Sequence, residues 1–140
     1  MQSIYTTTAT ASGDGRNGHT ASEDGQIDLD VRIPAEMGGP GGATNPEQLF
    51  AAGYAACFNS ALRLTATSQG VEIGESAVSA TVGIGMNGAG GFGLSVELDV
   101  DLPGVDAAVA QGLVEAAHQV CPYSNATRGN IDVALRVVGA

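Results

Sequence analysis

The 140-residue chain is 44% hydrophobic and only 14% charged, a balance that suits one globular domain over residues 1–140. A net charge of -10 argues against nucleic acid and anionic membrane surfaces as partners. All five basic residues are arginine, so lysine Schiff-base chemistry is excluded.

No apolar run approaches ~20 residues, and the first residues lack the basic-then-apolar pattern of an export signal. A cytoplasmic location is the expectation. Two cysteines in such a chain point to free, catalytic or redox-active thiols rather than a structural staple. Cys57, Cys121, His19 and His118 show no ligand spacing such as C-x-x-C, so no metal is expected.

Residues 3–12 are threonine-rich and predict a strand, followed by a turn over Gly13–Gly18 and a return through His19–Ser22. Asp24-Gly25 is a second tight turn. Ile27, Leu29, Val31 and Ile33 then alternate with charged residues, which predicts the third strand of an antiparallel meander with one wet face. Gly38-Gly39-Pro40-Gly41-Gly42 lacks the Gly-Lys-Ser/Thr ending of a phosphate loop and reads as a linker.

A long helix follows. Asn45 is its N-cap, Pro46 fits the first helical position, Glu47 adds first-turn negative charge, and Gly70 stops it. The positions between are mostly apolar or small, as in a helix covered on every side. Val71–Met86 holds a strand, Asn87–Gly91 makes a turn, and Phe92–Leu102 alternates over eleven residues as a second strand. Asp106 caps a second helix that runs to about Gln119 and stops at Cys121-Pro122. Ile131–Val137 is the last strand. The order βββ-α-ββ-α-β predicts an α+β fold with antiparallel sheets.

Three polar features do not fit a simple core: Cys57 in an apolar helix, Cys121 at a helix end, and Arg16 as the only cation in a glycine-rich turn. A thiol among alkyl groups stays protonated, and an arginine brought beside it favours the thiolate nucleophile. The plain readings are core filling for Cys57, a solvated turn for Arg16 and dipole compensation for Glu47. Glu47 and Cys57 are ten residues apart, or ~15 Å along an unbroken helix. One site in one chain therefore needs a helix break near Gly53. Two copies crossing antiparallel at Ala51, Ala52 and Gly53 would instead set Glu47 of one chain beside Cys57 of the other, which predicts a homodimer.

Thr44-Asn45-Pro46-Glu47-Gln48-Leu49-Phe50-Ala51-Ala52-Gly53-Tyr54-Ala55-Ala56-Cys57-Phe58 and Val120-Cys121-Pro122-Tyr123-Ser124-Asn125-Ala126-Thr127-Arg128-Gly129-Asn130 resemble the signatures of the organic hydroperoxide resistance (Ohr) family, within the OsmC/Ohr group. The likeness extends over essentially the whole chain, with Ala43 standing where a glycine is more usual. It implies an intertwined homodimer with two central helices wrapped by sheets. It also implies a lipoyl-dependent cysteine peroxidase that reduces organic hydroperoxides, without a bound cofactor, and that protects against oxidative stress. By motif, Cys57 is the peroxidatic cysteine, Cys121 the resolving one, and Arg16 with Glu47 the ion pair beside Cys57. Dihydrolipoamide or a lipoylated protein is the implied reductant. Phe50, Tyr54 and Phe58 are candidates to line an alkyl-binding pocket.

Two rival readings stand beside this one. One is a Cys-His hydrolase with His19 or His118 as base, which leaves Arg16 and Cys57 without a role. The other is a redox sensor, for which the chain offers no helix-turn-helix or basic patch to act on DNA.

Overall fold

The computed structural model describes all residues, 1–140, and resolves them into two compact units, Met1–Leu49 and Phe50–Ala140.

In the first unit β1 (Ala9–Asp14), β2 (Asn17–Ser22) and β3 (Asp28–Asp30) form the expected antiparallel meander. The first strand starts at Ala9 rather than Ser3 and continues through Gly13, so the hairpin turn contracts to Gly15-Arg16. Gly15 has φ +54°, the positive value that a two-residue hairpin loop with glycine first requires. Gly13 pairs with Gly18, and a Cβ on Gly18 would meet the Ser12 carbonyl oxygen at 2.1 Å. Side chains are excluded there, which lets both strands run into the turn.

The third strand is shorter than its alternation suggests. After Asp30 the chain leaves the sheet, Val31 bridging to Thr44 and the Arg32 N–H donating to the Thr44 carbonyl at 2.9 Å. Of the four apolar residues expected on one face, Val31 is buried while Ile27 and Leu29 remain 41% exposed. Before the glycine linker lies a 3-10 turn, Ala35–Met37, closed by Gly38 at φ +82°.

Helix α1 (Pro46–Ser68) begins as the sequence implies, with the Asn45 side-chain oxygen accepting from the Gln48 N–H at 2.9 Å. It ends beside Gly70, at φ +67°. Tyr54, Phe58, Ala61, Leu62, Thr65 and Ala66 are buried, a stripe at helical spacing. Within one copy α1 is not covered on all sides, for Ala52, Ala56 and Leu64 face solvent in the single chain.

The second sheet joins β4 (Ala77–Met86), β5 (Phe92–Asp101) and β6 (Val133–Gly139), with β5 in the centre. Helix α2 (Ala107–Val120) and a short α3 (Pro122–Thr127) connect β5 to β6. Asp106 caps α2 by accepting the N–H groups of Ala108 and Val109 at 3.0 and 3.2 Å. Register sets apolar rows across the sheet: Val82–Val96–Val133, Ala80–Leu98–Leu135 and Val78–Val100–Val137. Val96, Leu98 and Val100 pack with Phe58, Leu62, Leu113 and Val114 into the core.

The expected wholly antiparallel arrangement needs one correction. Strands β4 and β5 are antiparallel, but β6 runs parallel to β5. The helices between β5 and β6 carry the chain back to the starting end of the sheet, the crossover that parallel strands need. The fold is α+β, with one antiparallel and one mixed sheet.

Candidate active site

In the first unit the tight turn aims Arg16 at the first turn of α1. Arg16 Nη1 donates to Glu47 Oε2 at 2.8 Å, and Nη2 donates to Oε1 at 2.7 Å. Two parallel bonds make this a fork-to-fork pair, fixed in direction as well as charge. Glu47 is mostly buried, and the guanidinium holds its carboxyl below the usual carboxylate range. The hydrogen bonds that Arg16 donates to Glu47 raise the arginine in turn, so both stay charged near neutrality. The hairpin behind Arg16 is anchored by Arg32, which donates to the Gly18 carbonyl at 2.9 Å, and by Asn17, which accepts the Ile33 N–H at 3.1 Å.

In the second unit the two thiols converge. Cys57 is half-buried on α1, Cys121 is fully buried, and their Sγ atoms lie 3.7 Å apart. Cys121 belongs to two helices at once. Its N–H donates to the Ala117 carbonyl to finish α2, and its carbonyl accepts from the Asn125 N–H in the first turn of α3. Pro122 explains this local choice. The residue before a proline is pushed to extended backbone, here φ -62° and ψ 123°, and proline then fits the first turn of the next helix.

The same corner turns the Tyr123 backbone N–H toward the other sulfur, where it favours the charged form of Cys57. Burial pushes the Cys57 thiol up, as does the neighbouring Cys121 thiol, while the Tyr123 N–H opposes them. Gly53, one turn before Cys57, makes room for the Tyr123 ring. A Cβ there would meet the phenol oxygen at 3.0 Å.

Beside Tyr123 opens a cavity of about 500 Å³ lined by Phe50, Phe92, Leu94, Ala126 and Ile131, with Thr127 and Asn130 as its polar members. Such a space suits an alkyl or fatty chain. Phe50 lies among the lining residues, whereas Tyr54 and Phe58 are closed off from solvent in the core. Phe92, Leu94, Tyr123 and Ile131 carry no sequence signal for this role, since each also reads as strand or helix packing. His19 has both ring nitrogens on carboxylates, Asp28 at 2.6 Å and Asp30 at 3.0 Å. His118 directs Nδ1 to Ser124 at 2.8 Å.

The family model described as OsmC-like protein matches residues 39–136. The chain belongs to this family. Within it the chain groups with the organic hydroperoxide resistance proteins. It is 54% identical over 134 residues to the organic hydroperoxide resistance protein of Xanthomonas axonopodis pv. citri (strain 306), covering 94% of this chain and 93% of that protein. The crystal structure of an organic hydroperoxide resistance protein from Elizabethkingia anophelis superposes with a TM-score of 0.95 at 55% identity, covering all of both chains. A putative organic hydroperoxide resistance protein from Vibrio cholerae O1 biovar eltor str. N16961, with captopril bound in one of its active sites, gives 0.94 at 54% identity over 100% of this chain and 96% of that one. The OsmC/Ohr motifs quoted from the sequence therefore identify the family correctly.

Proposed function

We propose that this OsmC/Ohr chain is a cysteine peroxidase that reduces organic hydroperoxides to alcohols and so contributes to resistance to oxidative stress. The observation that carries the reading is the 3.7 Å approach of a half-buried thiol to a fully buried one beside an apolar cavity. The names of its close relatives agree with that chemistry.

Cys57 attacks the outer oxygen of the hydroperoxide as thiolate. The oxygen–oxygen bond breaks, the alkoxide takes a proton and leaves as the alcohol, and Cys57 becomes a sulfenic acid. The Cys121 thiol then condenses with that sulfenic acid, forming the Cys57–Cys121 disulfide and one water. A dithiol of the lipoyl class reduces the disulfide by exchange and is itself oxidised to a cyclic disulfide.

Burial alone keeps the Cys57 proton on, so the first step needs a cation. Arg16, oriented by Glu47, is the group assigned to this task and to the charge that grows on the departing alkoxide. Helix α1 carries no break at Gly53, which leaves Glu47 and Cys57 roughly 15 Å apart along one helix. A homodimer in which Arg16 and Glu47 of one chain serve Cys57 of the other meets this constraint. The small exposed positions Ala52 and Ala56 of α1 allow close crossing of two such helices. On this reading residues 1–140 act as one catalytic unit. No helix is long and apolar enough to cross a membrane, which is compatible with work in the cytoplasm.

A peroxidase assay coupled to dihydrolipoamide tests the proposal, comparing an alkyl hydroperoxide with hydrogen peroxide. Repeated turnover with preference for the alkyl substrate supports it. A single oxidation event without turnover would instead mark a redox sensor.

A further inference from the structure

Behind the cysteine pair, four polar side chains form a continuous hydrogen-bonded series. His118 Nδ1 lies 2.8 Å from Ser124 Oγ, Ser124 Oγ lies 2.9 Å from Tyr54 Oη, and Tyr54 Oη lies 3.1 Å from Thr127 Oγ1. Thr127 Oγ1 donates to the Ser124 carbonyl at 3.1 Å. Tyr54 and Ser124 are wholly buried and Thr127 nearly so.

Counting protons fixes the direction of the series. Each hydroxyl has one proton to give. If Thr127 gives its proton to the Ser124 carbonyl, Tyr54 must donate to Thr127, Ser124 must donate to Tyr54, and His118 must donate from Nδ1. This is the only assignment that satisfies all four contacts. It makes His118 the head of the series and selects its Nδ1–H tautomer. Burial and the nearby Arg128 hold His118 below its ordinary pKa, so the neutral ring is the favoured form at neutral pH.

The series ties together the three helices that carry the sulfur site. Tyr54 is three residues before Cys57 on α1, Ser124 and Thr127 follow Cys121 on α3, and His118 is in the last turn of α2. Apolar packing alone tolerates small slips between helices, whereas hydrogen bonds of fixed direction resist them. Cys121 itself leads directly into α3, its carbonyl accepting the Asn125 N–H at 2.9 Å, so a shift of α3 carries the sulfur with it.

We propose that His118, Ser124, Tyr54 and Thr127 act as a positioning clamp that holds Cys121 over Cys57, so that disulfide formation outruns further oxidation of the sulfenic acid. The proposal rests on the peroxidase reading above. Two fates compete for Cys57 sulfenic acid. Condensation with the Cys121 thiol gives the disulfide and water, while a second hydroperoxide gives the sulfinic acid and an alcohol. The sulfurs must close from 3.7 Å to about 2.05 Å for the first fate, so small displacements of α3 decide the ratio.

The test uses full-length His118→Leu and Ser124→Ala, with His118→Asn as a rescue that keeps an N–H near the Nδ1 position. Ser124→Ala loses only a hydroxyl and His118 is partly exposed, so one of the two remains readable if the other misfolds. The first readout is the dithiol–disulfide equilibrium of Cys57 and Cys121 in glutathione buffers, which needs no peroxidase activity. The second is the sulfinic-to-disulfide ratio by mass spectrometry after cumene hydroperoxide treatment.

The expected result is a fall of about tenfold in the equilibrium constant for disulfide formation, as one buried hydrogen bond is worth. The sulfinic fraction rises in step, the rate of the first Cys57 oxidation stays near wild type, and His118→Asn recovers most of the loss. Wild-type equilibrium and partition in both His118→Leu and Ser124→Ala would overturn the clamp. Wild-type protein that cumene hydroperoxide fails to oxidise would sink the peroxidase reading, and a tenfold glutathione shift would still uphold the clamp.

Discussion

The Sγ atoms of Cys57 and Cys121 stand 3.7 Å apart, with Cys57 half-buried and Cys121 shut away from solvent. In the proposed mechanism this difference in exposure makes Cys57 the thiol that meets the peroxide first. Cys57→Ser is expected to abolish turnover in a coupled peroxidase assay. Cys121→Ser is expected to permit one oxidation per chain and then to accumulate Cys57 sulfinic acid, visible by mass spectrometry.

The Arg16–Glu47 fork gives a second prediction. Glu47→Gln keeps the shape but removes the charge that fixes the guanidinium, and Arg16→Lys loses the two-point geometry. Each is expected to lower kcat/KM for an alkyl hydroperoxide by about 10²-fold, the scale of one electrostatic partner in a transition state. The pH dependence follows from the lowered Glu47 carboxyl. Its contribution to stability is fully present above the ordinary glutamate pKa and is lost as pH falls through the lowered value. Thermal melts should therefore show a smaller gap between wild type and Glu47→Gln in strong acid than at neutral pH.

Mixed dimers examine where the cation comes from. Cys57→Ser and Arg16→Ala are each expected to be inactive alone. Subunit exchange between them rebuilds one intact site per heterodimer if the site is shared, giving about a quarter of wild-type activity at random mixing. No recovery after verified exchange would place Arg16 and Cys57 action within one chain.

The cavity beside Tyr123 is the alkyl-binding site of the proposed function. Leu94→Asp puts a charge into its apolar wall, where a long alkyl chain would have to be buried against it. Kinetics on alkyl hydroperoxides of increasing length should lose the gain per methylene, while activity toward hydrogen peroxide changes by less than about twofold. An equal loss for both substrates would move the alkyl site elsewhere.

Much of this site was legible in the sequence because its signals are local. Asn45-Pro46-Glu47 writes a helix start in three residues, and the structure places Asn45 on the Gln48 N–H as that pattern requires. The alternation of residues 92–102 likewise fixes β5 and its buried face. Other features were carried by spacing that no single segment encodes. The parallel pairing of β6 depends on the path of the whole β5–α2–α3 crossover. Helix α3 was missed because Cys121-Pro122 reads as a stop, although proline starts a helix as readily as it ends one. The shortening of β3 arises from the Val31–Thr44 bridge, a contact across thirteen positions. Tyr54 and Phe58 look like pocket residues beside Cys57, yet helical phase turns both into the core, and the cavity wall comes from Phe92, Leu94 and Ile131 instead.

The most direct measurement is the non-reducing mass of the reduced protein after one equivalent of an alkyl hydroperoxide, with quantitation of the alcohol formed. The expected result is one alcohol per chain, loss of two hydrogens, and a single linked peptide pair containing Cys57 and Cys121. Alcohol formation with both thiols still free, or a chain left unchanged by the hydroperoxide, would contradict the two-cysteine mechanism.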